Sequence, residues 1–230
     1  MPPAIKHYIQ RLKANDPPLV TLSLNCALRG IQSPPRAPLE LIRDSLLNNA
    51  TVQRIELEDN NIDARCIEIL APALTHPKNN ITTLYLAANP LGCKGMKALS
   101  KYVLSHPHNH VSELYLGRTL LDSEAITCLV RGLTHPNNVV QFISLRQSSI
   151  DDDVGWGNLF NGLCHPHCQV QRINLSSNQL TSRHAALILA LLDKRYDLWI
   201  EGLEFCISNF FEQKDYLQVI EKMTKNGVSR

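Results

Sequence analysis

One short pattern of apolar residues recurs at regular intervals, and it constrains the fold of this chain more than any other feature. Its cleanest copy is Val170–Leu180, VQRINLSSNQL, with apolar residues at positions one, four, six and eleven and Asn at position nine. The same frame fits four more segments, with Thr119 and Ser148 replacing Asn in the last two: Val52–Ile62, Ile81–Leu91, Val111–Leu121 and Val140–Ile150. We call the residue at position four of each copy its anchor. With a looser sixth copy included, the anchors are Ile55, Leu84, Leu114, Ile143, Ile173 and Leu203. Their spacing of 29 or 30 residues predicts a solenoid of stacked units.

Each position of the frame has a physical role in a short strand followed by a turn. Alternate side chains of a strand face opposite ways, so positions four and six point into the core and their neighbours point outward. Position nine turns the chain inward, where an Asn amide can both donate to and accept from backbone groups. We expect these Asn side chains to form a ladder, which Thr119, Ser148 and Ser208 complete only in part. A degenerate first copy has Ala27 at position nine, so we expect that unit to be irregular.

A helical period follows each strand segment. Ile67, Leu70 and Leu74 are spaced for one face of a helix, and Asp63 ahead of them is a typical N-cap. Four predicted helices end at a His-Pro pair, because Pro pushes the residue before it out of helical geometry: His76-Pro77, His106-Pro107, His135-Pro136 and His165-Pro166. We predict one leucine-rich domain over 1–230, with a capping helix in 1–18, about seven repeats in 19–210, and a capping helix and tail in 211–230.

Repeats of this length with a full helix in the second half resemble the ribonuclease-inhibitor type of leucine-rich repeat, over roughly Leu19 to Phe210. The resemblance implies an α/β horseshoe solenoid with parallel strands on the concave face and helices on the convex face. It also implies a non-catalytic scaffold that binds a partner protein. Asn ladders and helix ends of the form H-P-x-N further resemble the leucine-rich effectors of intracellular bacteria, which act on a host protein in the host cytosol.

The cysteine content and charge of the chain indicate which cellular compartment and which partners to expect. Seven cysteines, an odd number scattered through the repeats, suggest reduced thiols in a cytoplasmic compartment. We expect a monomer without a cofactor, without a membrane-spanning run and without a small-molecule substrate. The formal net charge is only +2, and Glu56, Glu58, Glu113 and Glu204 would share the concave face, so nucleic acid is not an expected partner.

The outward strand positions give a candidate binding surface. Tyr85 and Tyr115 become neighbours when the repeats are stacked, Phe142 lies diagonally beside them, and the small residues Ala87 and Gly117 leave a hollow. Charged residues flank the aromatics, with Glu56, Glu58 and Asp59 on one side and Arg118, Arg146 and Arg172 on the other. Aromatic residues ringed by charge are typical of an interface hot spot. The alternative is that aromatic residues simply favour strand surfaces. In the sixth repeat the outward positions would be Gly202, Glu204 and Cys206.

Other chemical patterns are better explained by the repeat. Cys164-His165-Pro166-His167-Cys168 contains potential zinc ligands, but His165-Pro166 is the recurring helix end and no second ligand pair follows. Asp151-Asp152-Asp153 precedes a predicted helix, where carboxylates cap and complement the helix dipole. No nucleophile, phosphate-loop or metalloprotease motif occurs, so we do not expect an enzyme. The alternative function is a targeting domain of a larger enzyme or signalling assembly.

Overall fold

The computed structural model describes residues 3–30, 34–119, 121–148, 150, 152–203 and 212–227. Short strands and helices alternate along these residues. The strands are β1 (Thr21–Ser23), β2 (Arg54–Glu56), β3 (Thr83–Tyr85), β4 (Glu113–Tyr115), β5 (Phe142–Ser144), β6 (Arg172–Asn174) and β7 (Trp199–Glu201). The helices are α1 (Pro3–Lys13), α2 (Arg36–Leu46), α3 (Ala64–Leu74), α4 (Gly92–Leu99), α5 (Ser123–Leu133), α6 (Asp153–Leu163), α7 (Ser182–Lys194) and α8 (Gln213–Lys225). A π-helical segment, Ser100–Leu104, continues α4.

The strands form one parallel sheet in chain order, from β1 to β7 within the described residues. Leu22 of β1 pairs with Ile55 of β2, and Ile55 pairs with Leu84, so the anchor positions of successive repeats lie side by side. Parallel strands lie about 4.8 Å apart, whereas packed helices need about 8–10 Å. A stack with one helix per strand therefore curves with the strands on its concave side. The predicted α/β solenoid is confirmed.

The core lies between the sheet and the helices. The central residue of every strand from β2 to β6 is at most 1% exposed, and the helices cover these residues with side chains such as Ile67, Leu70 and Leu129, which are fully buried. Burial of a Leu or Ile side chain contributes about 1.5–3 kcal/mol, so the repeated anchors supply much of the stability. Because the anchor side chains point inward, their neighbours at positions three and five form the outer surface of the sheet, here called the strand face.

Each repeat turns inward through a residue in the left-handed conformation. Asp59, Ala88, Arg118, Gln147 and Ser177 all occupy position eight of the frame, with φ between 55° and 60°. This conformation is disfavoured for most residues with a side chain, so the same backbone turn is being imposed by the stack in every repeat. The turn brings position nine into the interior.

The predicted Asn ladder is present. The Oδ1 atom of Asn89 accepts the backbone N–H groups of Asn60 at 3.0 Å and Ile62 at 2.9 Å, and its Nδ2 donates to the carbonyl of Leu57 at 2.9 Å. Asn178 makes the same two kinds of bond to the repeat before it, at 2.8 and 2.7 Å. Each amide therefore satisfies buried backbone groups of the neighbouring repeat, which ties adjacent repeats together.

The ladder changes form where Thr or Ser replaces Asn. Thr119 Oγ1 donates to the carbonyl of Leu116 within its own repeat at 2.5 Å, and the buried Ser148 Oγ has no partner among the described residues. Their backbone carbonyls instead accept from Gly92 at 3.2 Å and Leu121 at 3.4 Å in the preceding repeats. The shorter side chains thus keep the stack but lose the amide bridge. Ser208 lies outside the described residues.

The last strand begins three residues earlier than the sequence pattern predicted. Ile200, not Leu203, pairs with Ile173, so the step is 27 residues, and the outward positions are Trp199 and Glu201. The predicted anchor Leu203 and the outward position of Gly202 are therefore wrong, and Glu204 and Cys206 lie outside the described residues. The reason is packing: Leu198 and Ile200 are 0% and 2% exposed, and the Met223 sulfur of α8 lies 3.4 Å from the Ile200 nitrogen.

The two terminal helices lie against the ends of the repeat array. Helix α1 buries Ile5, Ile9 and Leu12 and contacts α2, while α8 buries Val219 and Met223 and contacts α7. The division into caps, repeats and tail remains a prediction. None of the helices in the described part of the chain is long and apolar enough to cross a membrane.

Candidate functional site

A row of aromatic rings crosses the middle of the strand face. Tyr85 and Tyr115 are partners in the β3–β4 register, and their rings stack with centroids 3.8 Å apart and planes 9° from parallel. Phe142 meets Tyr115 edge-on, with centroids 5.1 Å apart and planes at 61°. The strand spacing of about 4.8 Å places outward rings of neighbouring strands within contact distance, which is why the period of the repeat builds this row.

Arginine side chains cover both ends of the row. The guanidinium carbon of Arg172 lies 4.3 Å from the centre of the Phe142 ring, and that of Arg54 lies 5.4 Å from the centre of Tyr85. Arg54 also donates to the Tyr85 hydroxyl at 3.1 Å. Such cation–π contacts hold the cations over the rings and leave their remaining donors available to a partner. Arg172 is further tethered by Glu201 at 3.5 Å.

Phe142 is less available than the sequence suggested. Its side chain points away from the core as predicted, but only 7% of the residue is exposed because Tyr115 and Arg172 cover it. A partner approaching this part of the strand face would touch Arg172, which is exposed. Phe142 therefore positions its neighbours instead of presenting its own ring.

The hollow predicted beside the tyrosines is present as a pocket of about 310 Å³. Its lining residues come from four successive repeats: Glu58, Tyr85, Ala87, Tyr115, Gly117, Arg118, Ser144, Arg146 and Gln147. Gly117 is required for this shape, because a Cβ atom there would lie 2.6 Å from the backbone oxygen of Arg146. We call this feature the tyrosine pocket.

The charges around the tyrosine pocket are not divided as the sequence predicted. Arg118, placed on the basic side, reaches back across two repeats and forms an ion pair with Glu58, which was placed on the acidic side. Glu56 accepts a hydrogen bond from Ser23 at 2.7 Å. Arg146 is exposed and forms no ion pair within the described residues. On one side of the pocket the charges of Arg118 and Glu58 therefore neutralise each other, whereas the guanidinium of Arg146 is open to a partner.

Tyr115 keeps its proton throughout the physiological range. Burial, and then the hydrogen bond with Tyr85, raise the pKa of Tyr115 above its ordinary value. Its hydroxyl lies 3.5 Å from a carboxylate oxygen of Glu113, to which it donates. The pocket therefore offers the neutral phenol of Tyr115, the ring of Tyr85 and an exposed guanidinium, which suit recognition by hydrogen bonds and apolar contact.

The Cys-His segment near Cys168 has a local structural role. In all four His-Pro pairs the His Nδ1 atom accepts the backbone N–H two residues later, at 3.2 or 3.3 Å: His76, His106, His135 and His165. The repetition shows that His165 does what its counterparts do at a helix end. Within the ranges that the structure describes, no group of three or more His, Cys, Asp and Glu side chains is arranged to hold a metal ion.

Three contributions to the strand face were not predicted from the sequence. The cover of Tyr85 by Arg54 was not expected, and the predicted register of the last strand did not include Trp199 and Glu201 as outward positions. The register could have indicated the first contact, because Arg54 lies on the strand next to that of Tyr85 and pairs with Thr83, two residues before Tyr85. The signal for β7 was the apolar pair Leu198 and Ile200, which fits the frame less well than the later residues.

Comparison with known proteins supports a leucine-rich-repeat fold. No protein-family model matches the chain. The mouse protein "NACHT, LRR and PYD domains-containing protein 14" is 26% identical over 190 residues, which cover 71% of this chain and 19% of that protein. This chain therefore corresponds to about a fifth of the length of that relative.

Solved structures show the same architecture at low sequence identity. The structure of leiomodin-1 actin-binding site 2 superposes with a TM-score of 0.57 and 19% identity, covering 72% of this chain and 90% of that chain. The tropomodulin C-terminal domain of Caenorhabditis elegans covers 97% of this chain and 93% of its own, but its TM-score of 0.42 and 10% identity carry no argument. Neither the name of the mouse relative nor that of the leiomodin-1 structure describes an enzyme. The ribonuclease-inhibitor type and a bacterial origin remain hypotheses.

Proposed function

We propose that this chain is a recognition module that binds a partner protein on its strand face, at the tyrosine pocket. The observation that carries the proposal is the stacked Tyr85–Tyr115 pair bordering an open pocket of about 310 Å³. Tyr and Arg are the residue types most enriched in binding hot spots, which form around pockets that a partner side chain can fill. The concave face is also the extended surface that solenoid proteins use for binding.

The lining residues indicate which partner side chain would fit. The rings of Tyr85 and Tyr115 offer apolar surface, and the small residues Ala87 and Gly117 leave room for one aliphatic or aromatic side chain. Arg146 is exposed at the rim and would pair with a carboxylate beside that anchor. The partner segment is therefore expected to combine an apolar anchor with an acidic neighbour.

The test compares the native chain with a Tyr85→Ala/Tyr115→Ala variant as bait in affinity capture from cytosolic lysate. A Tyr102→Ala/Tyr196→Ala variant is the matched control, because it removes two tyrosines that are 37% and 70% exposed and do not line the tyrosine pocket. Captured proteins are then purified and titrated directly. Loss of at least about 2 kcal/mol of binding free energy in the pocket variant alone would support the proposal. Equal binding by all three chains, each with a cooperative melt, would refute it.

Actin is a specific partner to test, because the leiomodin-1 structure is named for an actin-binding site. Co-sedimentation with purified actin filaments, and sizing with monomeric actin, need no lysate. Binding that is lost in the Tyr85→Ala/Tyr115→Ala variant would identify the partner and support the site. Binding that survives in that variant would place the actin contact elsewhere and refute the tyrosine pocket as its site.

A second candidate is a targeting domain within a larger receptor or signalling assembly. It is favoured by the mouse relative, in which the matched part makes up 19% of the protein. An antibody against this chain, used on the source cells, would detect a polypeptide much longer than 230 residues if the candidate is right. The effector hypothesis, with delivery to a host cytosol, is tested separately by a translocation reporter, and the cytoplasmic location by fractionation.

A further inference from the structure

A second pocket lies on the helix side of the solenoid, between two neighbouring repeats. Its volume is about 300 Å³, and it is unrelated to the strand face. One wall comes from α4 and its π-helical continuation, and the other comes from α5 and the turn after it. The lining residues are Lys97, Ser100, Lys101, Ser105, Cys128, Arg131 and His135. We call this feature the cationic pocket.

The π-helical segment shapes this pocket. Ser100 begins that segment, and its hydroxyl donates to the backbone carbonyl of Cys128 on α5 at 2.5 Å. Gly132 allows this close approach, because a Cβ atom there would lie 2.7 Å from Ser100 Oγ. The two walls are therefore joined at this contact, and the segment beyond it widens the helix by an extra residue in the turn. Single π-helical turns inside α-helices are frequent at functional sites.

Basic side chains line both walls. Lys97 and Lys101 are four residues apart and share one face of their helix, and Arg131 and His135 have the same spacing on the opposite wall. Across the described ranges, none of these residues forms an ion pair with a carboxylate. The ammonium group of Lys101 lies 4.7 Å from the centre of the Tyr102 ring, and this contact does not neutralise its charge.

An acidic residue, Glu124, lies in the first turn of α5, away from the pocket. Glu124 interacts with the Cys93 thiol, one helical turn before Cys128, and it is not among the residues that line the pocket. Among the described residues some basic side chains are paired, as Arg36 is with Asp63, while the exposed Lys6 and Lys78 form no ion pair and lie outside this pocket. What distinguishes the cationic pocket is that several basic side chains without an ion pair line one recess.

We propose that the cationic pocket binds a phosphate-bearing small molecule through Lys97 and Arg131, with Lys101 and His135 at its edge. A multivalent anion can satisfy cations on both walls at once, which a carboxylate cannot do as well. The planar guanidinium of Arg131 suits bidentate contact with phosphate oxygens, and the Lys97 ammonium adds a point charge. At about 300 Å³ the pocket is at the lower limit of ligand sites, so a compact diphosphate group fits the volume.

The test is calorimetric titration of the full chain with inorganic pyrophosphate at low ionic strength. Adenosine diphosphate forms a second arm, which shows whether the group is recognised free or as part of a larger molecule, and sodium sulfate forms a third. We expect saturable one-to-one binding of a diphosphate, at least about tenfold weaker in Lys97→Ala/Arg131→Ala. The control is Lys6→Ala/Lys78→Ala. It also removes two positive charges, but from exposed sites outside the pocket, so it should keep the native affinity.

Three calorimetric results would each overturn the proposal. They are no saturable heat with either phosphate probe, sulfate binding as tightly as pyrophosphate, or equal weakening in the two double variants. The last result would show a general effect of net charge instead of a site. Amide chemical-shift changes on adding pyrophosphate should centre on Ser105 and Arg131, and changes centred on the strand face would likewise refute it. Both variants change exposed residues outside the buried core, so both should fold, and their melting temperatures are measured as the check.

Discussion

The ladder position offers a graded test of what holds neighbouring repeats together, because three repeats carry three different side chains there. Replacing Asn89 with Ala removes an amide that is 1% exposed and bonded to the repeat before it. The truncation leaves the backbone N–H groups of Asn60 and Ile62 buried without an acceptor and the Leu57 carbonyl without this donor. The surrounding stack prevents those groups from turning to solvent.

The magnitudes follow from the number of buried groups left unpaired. Each orphaned group costs about 1–3 kcal/mol, so Asn89→Ala should lower the free energy of unfolding by about 3–5 kcal/mol. Thr119→Ala loses one hydrogen bond of 2.5 Å and a methyl group, which should cost about 1–2 kcal/mol. Ser148→Ala removes a buried hydroxyl that has no hydrogen-bond partner among the described residues, so stability should be unchanged or higher by up to about 1 kcal/mol.

The assay is urea unfolding of the native chain and the three variants, followed by far-ultraviolet circular dichroism and tryptophan fluorescence. Coincident transitions and a common slope are needed before the midpoints are converted to free energies. The expected order of stability is Ser148→Ala, then Thr119→Ala, then Asn89→Ala. A loss of more than about 1 kcal/mol in Ser148→Ala, or equal losses in all three, would refute the account of the ladder given above.

Three further predictions concern titration, thiol reactivity and glycine. Burial lowers the pKa of His184 below its ordinary 6.5, so the unfolded chain takes up the proton first and stability falls as the pH drops from 6.5 through the folded-state pKa. His184→Gln keeps a capping side chain and should flatten the pH dependence of the urea midpoint in that window, whereas an unchanged slope would contradict the assignment. Burial raises the pKa of Cys66 and Cys93 to about 12, so both thiols should resist iodoacetamide at about pH 8 in the folded chain and react in urea, as measured by peptide mass spectrometry. Gly157→Ala should raise the free energy of unfolding by about 0.5–1 kcal/mol, since nothing lies near the added Cβ. Gly117→Ala should lower it, because its Cβ would lie 2.6 Å from a backbone oxygen, and the opposite ranking in thermal unfolding would show that the turn adapts.

Much of the candidate site could be predicted from the sequence because the repeat fixes the register. Once Leu84 and Leu114 are aligned as anchors, Tyr85 and Tyr115 must be neighbours on the opposite face of the sheet. The small residues at Ala87 and Gly117 then predict a hollow, and the structure has a pocket there. The availability of each ring could not be predicted, since the cover of Phe142 by Arg172 depends on side-chain conformation.

The alternation of strand and helix and the Asn ladder follow from local spacing repeated at a constant period, and the parallel order of the strands is what the resemblance to leucine-rich repeats implies. The start of β7, the ion pair between Arg118 and Glu58, and the cationic pocket depend on packing between repeats. Long side chains reach across one or two repeats, so their partners are set by the rise and curvature of the stack. The π-helical segment begins at Ser100, whose hydroxyl contacts α5 of the next repeat. Periodicity specifies which residues face outward, and packing between repeats specifies what those residues touch.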